Sequence, residues 1–367
     1  MIESLYVHIP FCRKFCPYCD YPKTLYETDL VAAYVRSLFV DLESLQIEKS
    51  SLKTIYIGGG TPNCLPISYM EELLIALQPL LRRSRKYEWT IEMNPELITE
   101  EYLCLLKKYG VNRISLGAQT FNDVQLKLLG RLTTREQLIS KVELVKKHFD
   151  NFSVDLIYGL PKDGLDVLKD NIDILVVMNT PHVSIYPLTI HEDTPYYRMG
   201  ITEQSEDDYV LFTETINSLM RSAGYSHYEI TNYAKKAKFQ GLHNSTYWAA
   251  KEYYASGAGA HAYINGTRFR KTVIVNDYIE APLERFDVSR LDQDEVIEET
   301  IFLGLRLKTG ISFREFTNTF GVCFPIEIID KIKNTENSHF FRLSDDKVAV
   351  KEKYFVILDY ILRKIGR

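Results

Sequence analysis

The sequence predicts an α/β protein with a parallel sheet, followed by a small and mainly helical C-terminal module. Over about the first 200 residues, short β-rich runs alternate with amphipathic helical stretches. Each of the first five predicted strands is followed by ten or more helix-like residues, the length that a right-handed crossover between parallel strands requires. The alternation then stops, and a different pattern begins near Leu291.

The elements of the first part follow from hydrophobic spacing and β propensity. The predicted strands are residues 5–9, 54–57, 88–93, 113–117, 153–157 and 182–187. The predicted helices are residues 29–45, 68–81, 99–109, 123–129, 134–148 and 164–177. The pattern alone is compatible with a closed barrel, a partial barrel or a doubly wound sheet. In each of these folds, ligands bind at the carboxyl ends of the strands.

The later part of the chain begins with an amphipathic helix at residues 205–223. The C-terminal module is predicted to contain a helix at 295–307 capped by Asp294, two shorter helical segments, a hairpin around Asp345 and Asp346, and a last helix at 353–365. This arrangement resembles a winged helix. The net charge of −5 argues against nucleic-acid binding, which needs a basic surface. We expect three parts, at residues 1–200, 201–285 and 286–367.

Three of the six cysteines, Cys12, Cys16 and Cys19, lie in one C-x3-C-x2-C loop after the first predicted strand. Three thiolates can hold three irons of a [4Fe–4S] cluster and leave the fourth iron open. Zinc, with His8 as a fourth ligand, is the alternative. Structural zinc ligands usually come as two separated pairs, so the spacing favours iron and sulfur.

The other cysteines, Cys64, Cys104 and Cys323, are scattered through ordinary segments and are expected to be small buried hydrophobes. So few cysteines do not indicate a disulfide framework. The chain opens without an apolar signal region and has no run of 18 apolar residues. We therefore expect a cytoplasmic protein with reduced thiols, in which a cysteine cluster indicates a metal or catalysis.

Polar or glycine residues also occur where the other predicted strands end. Glycines 58–60 with Thr61 follow the second strand, Glu92 closes the third, Gln119 follows the fourth and Asp155 lies in the fifth. A tight turn explains one or two glycines. Three in succession indicate that a ligand approaches the backbone closely.

Together these motifs resemble the radical S-adenosylmethionine (SAM) superfamily, and within it the coproporphyrinogen-oxidase-like branch. The resemblance rests on the cysteine loop and on segments 58–62, 92–95, 117–122 and 155–161, and extends into the C-terminal module. It implies a partial (β/α)6 barrel with a [4Fe–4S] cluster in the loop after the first strand. In this superfamily, one electron from the cluster cleaves the sulfonium C–S bond of SAM.

The resemblance also implies roles for individual residues. Cys12, Cys16 and Cys19 match the cluster ligands. Tyr6 and Tyr18 match positions beside the cluster, where Tyr18 could pack on the adenine of SAM. The positions that match contacts to SAM are Gly59, Gly60, Thr61, Glu92, Gln119, Arg131 and Asp155.

Two kinds of protein in this branch differ near the cysteines. The oxygen-independent coproporphyrinogen III dehydrogenases carry a fourth cysteine two residues after the third, and an N-terminal extension. Here Tyr21 occupies that position and the first predicted strand begins near Met1. The haem chaperones instead carry a His-Asn-x-x-Tyr-Trp motif, matched here by His243 to Trp248. The resemblance therefore favours a haem chaperone, with the dehydrogenase as the alternative and enzymatic turnover left open.

His243 is the candidate ligand of a haem iron, because imidazole suits iron. A structural hydrogen-bonding pair of His243 with Asn244 is the equal alternative, and His227 and His261 are lesser candidates for the iron. The expected partners are haem or another porphyrin, a haem-acceptor protein and an electron donor such as flavodoxin or ferredoxin. Peripheral association with a membrane is left open.

Overall fold

The computed structural model describes residues 1–83 and 86–366. The strands are β1 Ser4–Ile9, β2 Phe11–Cys12, β3 Thr24–Leu25, β4 Thr54–Gly59, β5 Glu88–Met93, β6 Arg113–Gln119, β7 Phe152–Tyr158, β8 His182–Pro187, β9 Ser226–Glu229, β10 Asn232–Ala234, β11 Tyr254–Ser256, β12 His261–Ile264, β13 Thr267–Arg270, β14 Phe286–Arg290, β15 Ile311–Ser312, β16 Phe341–Leu343 and β17 Lys347–Val350.

The helices lie between and after these strands. They are α1 Thr28–Ser44, α2 Ile67–Leu77, α3 Glu100–Tyr109, α4 Asp123–Leu128, α5 Arg135–His148, α6 Leu165–Val177, α7 Pro195–Arg198, α8 Glu206–Ser222, α9 Leu242–Trp248, α10 Val275–Glu280, α11 Gln293–Gly304, α12 Phe313–Phe320, α13 Ile326–Lys333 and α14 Leu358–Ile365. The six predicted strands and the crossover helices between them are thus confirmed, with small shifts at the ends of the elements.

The main sheet has the strand order β11-β1-β4-β5-β6-β7-β8-β10-β9. Neighbouring strands from β1 to β8 in this order run parallel, β11 also pairs in parallel with β1, and β10 and β9 are antiparallel additions at the far edge. The short edge strands β9, β10 and β11 were not predicted, since three or four residues carry too little periodicity to be recognised.

Apolar and polar side chains alternate along the parallel strands, so one face of the sheet is mainly apolar and the other carries polar side chains. One face packs Leu5, Ile57 and Ile91, with their neighbours, against the surrounding helices in the main hydrophobic core. The other face carries polar side chains such as Glu92 and Asp155, which line an internal cavity. The strands are therefore buried on both faces, and only one of these faces is apolar.

The C-terminal region has a hydrophobic core of its own, built around Phe316, Phe340, Val348 and Leu362. Helices α11–α14 surround a three-stranded antiparallel sheet of order β15-β17-β16, which contains the predicted hairpin. One detail of the prediction was wrong: Asp292, and not Asp294, caps α11, because its side chain accepts the backbone N–H of Glu295 in a capping box.

Candidate functional site

The carboxyl ends of β1 and β4–β8 surround a cavity of about 380 Å³. Most of the predicted site residues line it. They are Cys12, Cys16, Cys19, Tyr18, Gly59, Gly60, Thr61, Glu92, Gln119, Arg131 and Asp155. Parallel strands bring residues distant in sequence to one place, as expected for this fold.

The cysteine loop is closed by backbone pairing at its two ends. The backbone N–H groups of Thr24 and Tyr26 donate to the carbonyls of Pro10 and Cys12, which pairs β3 with β2. Inside the loop, the Lys23 ammonium donates to the Cys19 carbonyl at 2.7 Å. These bonds fix the path of the loop around the cavity.

The thiols of this loop are free of disulfides, and burial raises the pKa of Cys12 and Cys19. A nearby metal would reverse this effect, because metals bind the thiolate. Thr61 Oγ1 lies 3.5 Å from Cys12 Sγ and stabilises its thiolate form. The donor set is thus three thiols facing one cavity, which fits a [4Fe–4S] cluster.

The zinc alternative fits this structure less well. Both ring nitrogens of His8 have other partners, the Tyr6 hydroxyl at 2.9 Å and the Pro22 carbonyl at 3.0 Å. In the part of the chain that the structure describes, no three His, Cys, Asp or Glu side chains converge closely enough to hold one metal ion. A single zinc needs that convergence, whereas a cluster takes each thiolate on a different iron.

The glycine run lets the backbone after β4 pass close to the cysteine loop. A Cβ atom at Gly60 would lie 2.7 Å from the Pro10 carbonyl oxygen and 2.9 Å from Cys12 Sγ. Gly59 has a φ of +117°, a conformation that side chains rarely adopt. The chain therefore requires glycine here for close packing against the loop as well as for the turn.

We expect Gly60→Ala to destabilise the protein by about 1–3 kcal/mol, since the added methyl group must displace backbone or the Cys12 thiol. Urea unfolding of the full chain measures this loss. The matched control is Gly164→Ala at the start of α6, where a Cβ atom meets nothing within 4 Å. A loss at Gly164 as large as that at Gly60 would contradict the steric explanation.

Glu92 lies at the end of β5 with its carboxylate buried beside the glycine run. It accepts a hydrogen bond from the Tyr56 hydroxyl at 2.7 Å and one from the Gly59 N–H at 3.1 Å. Burial raises the pKa of Glu92 to about 7, opposed by the Tyr56 and Gly59 donors and reinforced by Asp155. A carboxylate in this setting can accept hydrogen bonds from an amine or hydroxyl of a ligand in the cavity.

Asp155 is the second buried carboxylate of the cavity. Its oxygens accept hydrogen bonds from Ser115 at 2.9 Å and Ser153 at 3.0 Å. Burial raises its pKa, and the hydroxyls of Ser184, Ser115 and Ser153 oppose that rise. These serines come from three neighbouring strands, so the register of the sheet directs their hydroxyls towards the Asp155 carboxylate.

Gln119 and Arg131 reach the cavity from β6 and the segment after α4. Gln119 has a φ of +69° at a β-bulge opposite Leu156, a device that often directs a side chain towards a site. The Arg131 guanidinium lies beside the Tyr18 hydroxyl; burial lowers its pKa, but Tyr18, Cys16 and Glu96 beside it raise this pKa overall. Its Nε atom is buried with no hydrogen-bond partner among the described residues, so a ligand in the cavity could accept from it.

Two predicted residues lie deeper in the barrel and do not line this cavity: Tyr6 and His243. The Tyr6 hydroxyl bonds to His8, as given above, and its ring lies 6.1 Å from that of Tyr56. His243, on α9, is buried; its Nδ1 bonds to Thr54 Oγ1 at 2.8 Å and its Nε2 to the Tyr247 hydroxyl at 2.8 Å.

Since both nitrogens of His243 have protein partners, the contacts favour a structural role over iron ligation. Burial also lowers its pKa to about 3, so the ring is neutral. The predicted pairing with Asn244 is replaced by bonds to Thr54 and Tyr247, while Asn244 lines the cavity. Iron ligation by His243 stays a prediction, and it requires one of these bonds to break.

Sequence reasoning did not single out Tyr56 or His191, which both line the cavity. Tyr56 had a recognisable signal, because it lies two residues before Gly58 and so shares its face of β4. The Nε2 atom of His191, in the segment after β8, lies 3.2 Å from the Asp20 carboxylate of the cysteine loop. No local pattern marks that pair.

Residues 6–175 match the radical SAM superfamily, and residues 291–352 match the HemN C-terminal domain. The structure superposes on coproporphyrinogen III oxidase (HemN) from Escherichia coli with a TM-score of 0.83 and 18% identity, covering 100% of this chain and 90% of that chain. The fold and the three-cysteine cavity therefore define a radical SAM protein, a family that implies a [4Fe–4S] cluster and SAM.

Sequence relatives show which family within the radical SAM superfamily this chain belongs to. The chain is 37% identical to the heme chaperone HemW of Lactococcus lactis, over 99% of this chain and 97% of the relative. It is 34% identical to HemW of Bacillus subtilis, over 87% of each protein. The chain belongs to the HemW family of heme chaperones, which confirms the predicted family and fold class. No helix within the described residues is long and apolar enough to cross a membrane.

Proposed function

We propose that this protein binds haem and passes it to an acceptor protein, and that it holds a [4Fe–4S] cluster and SAM in the cavity of the barrel. The observation that carries the proposal is the similarity to the heme chaperone HemW over nearly the whole of both chains. Tyr21 supports it, since this residue lines the cavity where the dehydrogenases of this branch carry a fourth cysteine.

Cys12, Cys16 and Cys19 would hold the cluster, and the glycine run and the Glu92 carboxylate would contact SAM. When bound, the cluster supplies one electron for cleavage of SAM. The chain contributes hydrogen-bond acceptors on Glu92 and Asp155 and a cation on Arg131. Tyr18 packs beside Arg131 and would contact the cofactor from the side of the cysteine loop.

The cysteine loop also provides a docking surface for an electron donor. Arg13 and Lys14 are exposed beside Cys12 and Cys16, and Lys23 follows Cys19. Cations around the point of electron entry would attract an acidic carrier protein. A flavodoxin or ferredoxin would then deliver its electron over a short distance.

Haem titration of the anaerobically reconstituted protein tests this function. We expect stoichiometric binding, seen as a shift of the haem Soret band, and no decarboxylated product when coproporphyrinogen III, SAM and a reductant are supplied together. Formation of that product would identify the protein as the alternative, a coproporphyrinogen III dehydrogenase. Failure to bind haem would overturn the chaperone function.

A further inference from the structure

Tyr56, on β4, contacts both Glu92 and His243. Its hydroxyl donates to Glu92 Oε1 at 2.7 Å, at the level of the glycine run. Its ring stacks on the imidazole of His243, with centroids 5.2 Å apart and planes at 29°. The ring of Tyr6 lies near it as well, 6.1 Å away at 27°. Two rings therefore pack against that of Tyr56 and restrict its position.

His243 is itself held rigidly. Thr54 and Tyr247 bond its two ring nitrogens, as described above. The Glu88 carboxylate accepts the backbone N–H groups of Leu242 and His243 at 2.8 and 3.0 Å, which anchors the start of α9 to β5. These bonds hold the imidazole in one orientation, in which the Tyr56 ring stacks on it.

We propose that His243 and Tyr56 are positioning residues for SAM: the imidazole holds the tyrosine ring, and the tyrosine hydroxyl orients the Glu92 carboxylate towards the cofactor. This inference rests on the proposed contact between Glu92 and SAM. It gives the histidine of the His-Asn-x-x-Tyr-Trp motif an indirect role in SAM binding, through the Tyr56 ring that it contacts, and not a role at a haem iron.

The chemistry depends on the ionised form of Glu92, because only a carboxylate can accept with both oxygens. Tyr56 and Gly59 provide its hydrogen-bond donors, while burial and Asp155 oppose ionisation. Other titratable groups face it from β1, β4, α9 and the cysteine loop. Besides Tyr56 of β4 itself, they are Tyr6, Tyr247 and Tyr21. None of these tyrosines is cationic, so loss of the Tyr56 donor is not compensated by them.

Tyr56→Phe tests the first step, since it keeps the ring and removes the hydroxyl. Infrared titration of the full-length apoprotein, with Glu92→Gln subtracted to assign the carboxyl band, measures the Glu92 pKa. We expect this pKa to rise from its value of about 7, because a donor that lowers it is gone. Equilibrium binding of SAM to the reconstituted protein at pH 7 should weaken by about ten- to a hundredfold, the typical effect of a hydrogen bond to a charged group.

The matched control is Tyr158→Phe, which removes another largely buried hydroxyl, bonded to Thr213 at 3.0 Å and directed away from the cavity. We expect unchanged SAM affinity in this variant. If wild-type protein fails to bind SAM after reconstitution, the proposed function fails. If wild type binds and Tyr56→Phe binds equally with an unshifted Glu92 pKa, the inference alone is overturned.

His243→Gln tests the second step. We expect weaker SAM binding, and a double variant with Tyr56→Phe that binds no worse than Tyr56→Phe alone, because His243 acts through Tyr56. Additive losses would overturn the role of His243. Haem titration should give an unchanged Soret band in His243→Gln; loss of the band would make His243 the iron ligand and overturn the inference. If His243→Gln does not fold, Tyr247→Phe tests the same role of His243, because it removes only the hydrogen bond between the Tyr247 hydroxyl and the imidazole.

Discussion

Cys12→Ala is expected to abolish the proposed iron–sulfur cluster, the largest kind of functional effect that a single substitution should have in this protein. Cys12 is the most buried thiol of the loop and lies at the end of the β2–β3 pairing. Its sulfur accepts a hydrogen bond from the Thr61 hydroxyl. Two remaining thiolates cannot hold a cluster that needs three protein ligands. Iron content and visible absorption after anaerobic reconstitution measure the loss, which should be complete.

The control for Cys12→Ala is Cys64→Ala. Of the three scattered cysteines predicted to be buried, Cys64 is buried, whereas Cys104 and Cys323 are exposed. Cys64 lies close to the loop, with its thiol donating to the Phe11 carbonyl at 3.3 Å. Its side chain does not line the cavity, and burial raises its pKa to about 12. We expect Cys64→Ala to keep the full cluster. A cluster that survives in Cys12→Ala, or is lost equally in both variants, would contradict the assignment of ligands.

The sequence predicted the parallel strands well because each carries its own signal. The segments 54–57 and 113–117 show β-rich runs bounded by glycine or asparagine, and the helices between them have regular apolar spacing. The site residues at the strand ends could be predicted for a related reason. Parallel strands end at one edge, so Gly59, Glu92 and Asp155 converge once the strands are known.

The parts that were not predicted depend on contacts between distant residues. Pairing of β11 with β1 joins residues about 250 positions apart, and the segment Tyr254–Ser256 has no local feature that names its partner. The same holds for His243: its motif marked the residue, but its role follows from Thr54 and Tyr56 on β4. The left-handed backbone of Gln119 likewise arises from a bulge that sequence spacing does not reveal.

The contact between β11 and β1 is supported by a buried ion pair. The Lys271 ammonium lies 2.8 Å from Asp41 Oδ1 of α1, and both side chains are almost fully buried. The other oxygen, Oδ2, accepts hydrogen bonds from Ser256 at the end of β11, the Gly257 N–H and the Tyr278 hydroxyl of α10. One carboxylate thus connects α1, β11 and α10.

Asp41→Ala is therefore expected to destabilise the protein by about 3–5 kcal/mol, because it leaves Lys271 buried without its counter-charge. The same change at an exposed ion pair provides the control. Asp170 pairs with Arg135, and their side chains are 43% and 39% exposed, so Asp170→Ala should cost only about 0–1 kcal/mol. Urea unfolding followed by circular dichroism gives both values. Equal losses would show that Asp41 does not hold the edge of the sheet, whereas a much larger loss at Asp41 would show that the buried carboxylate joins these three elements.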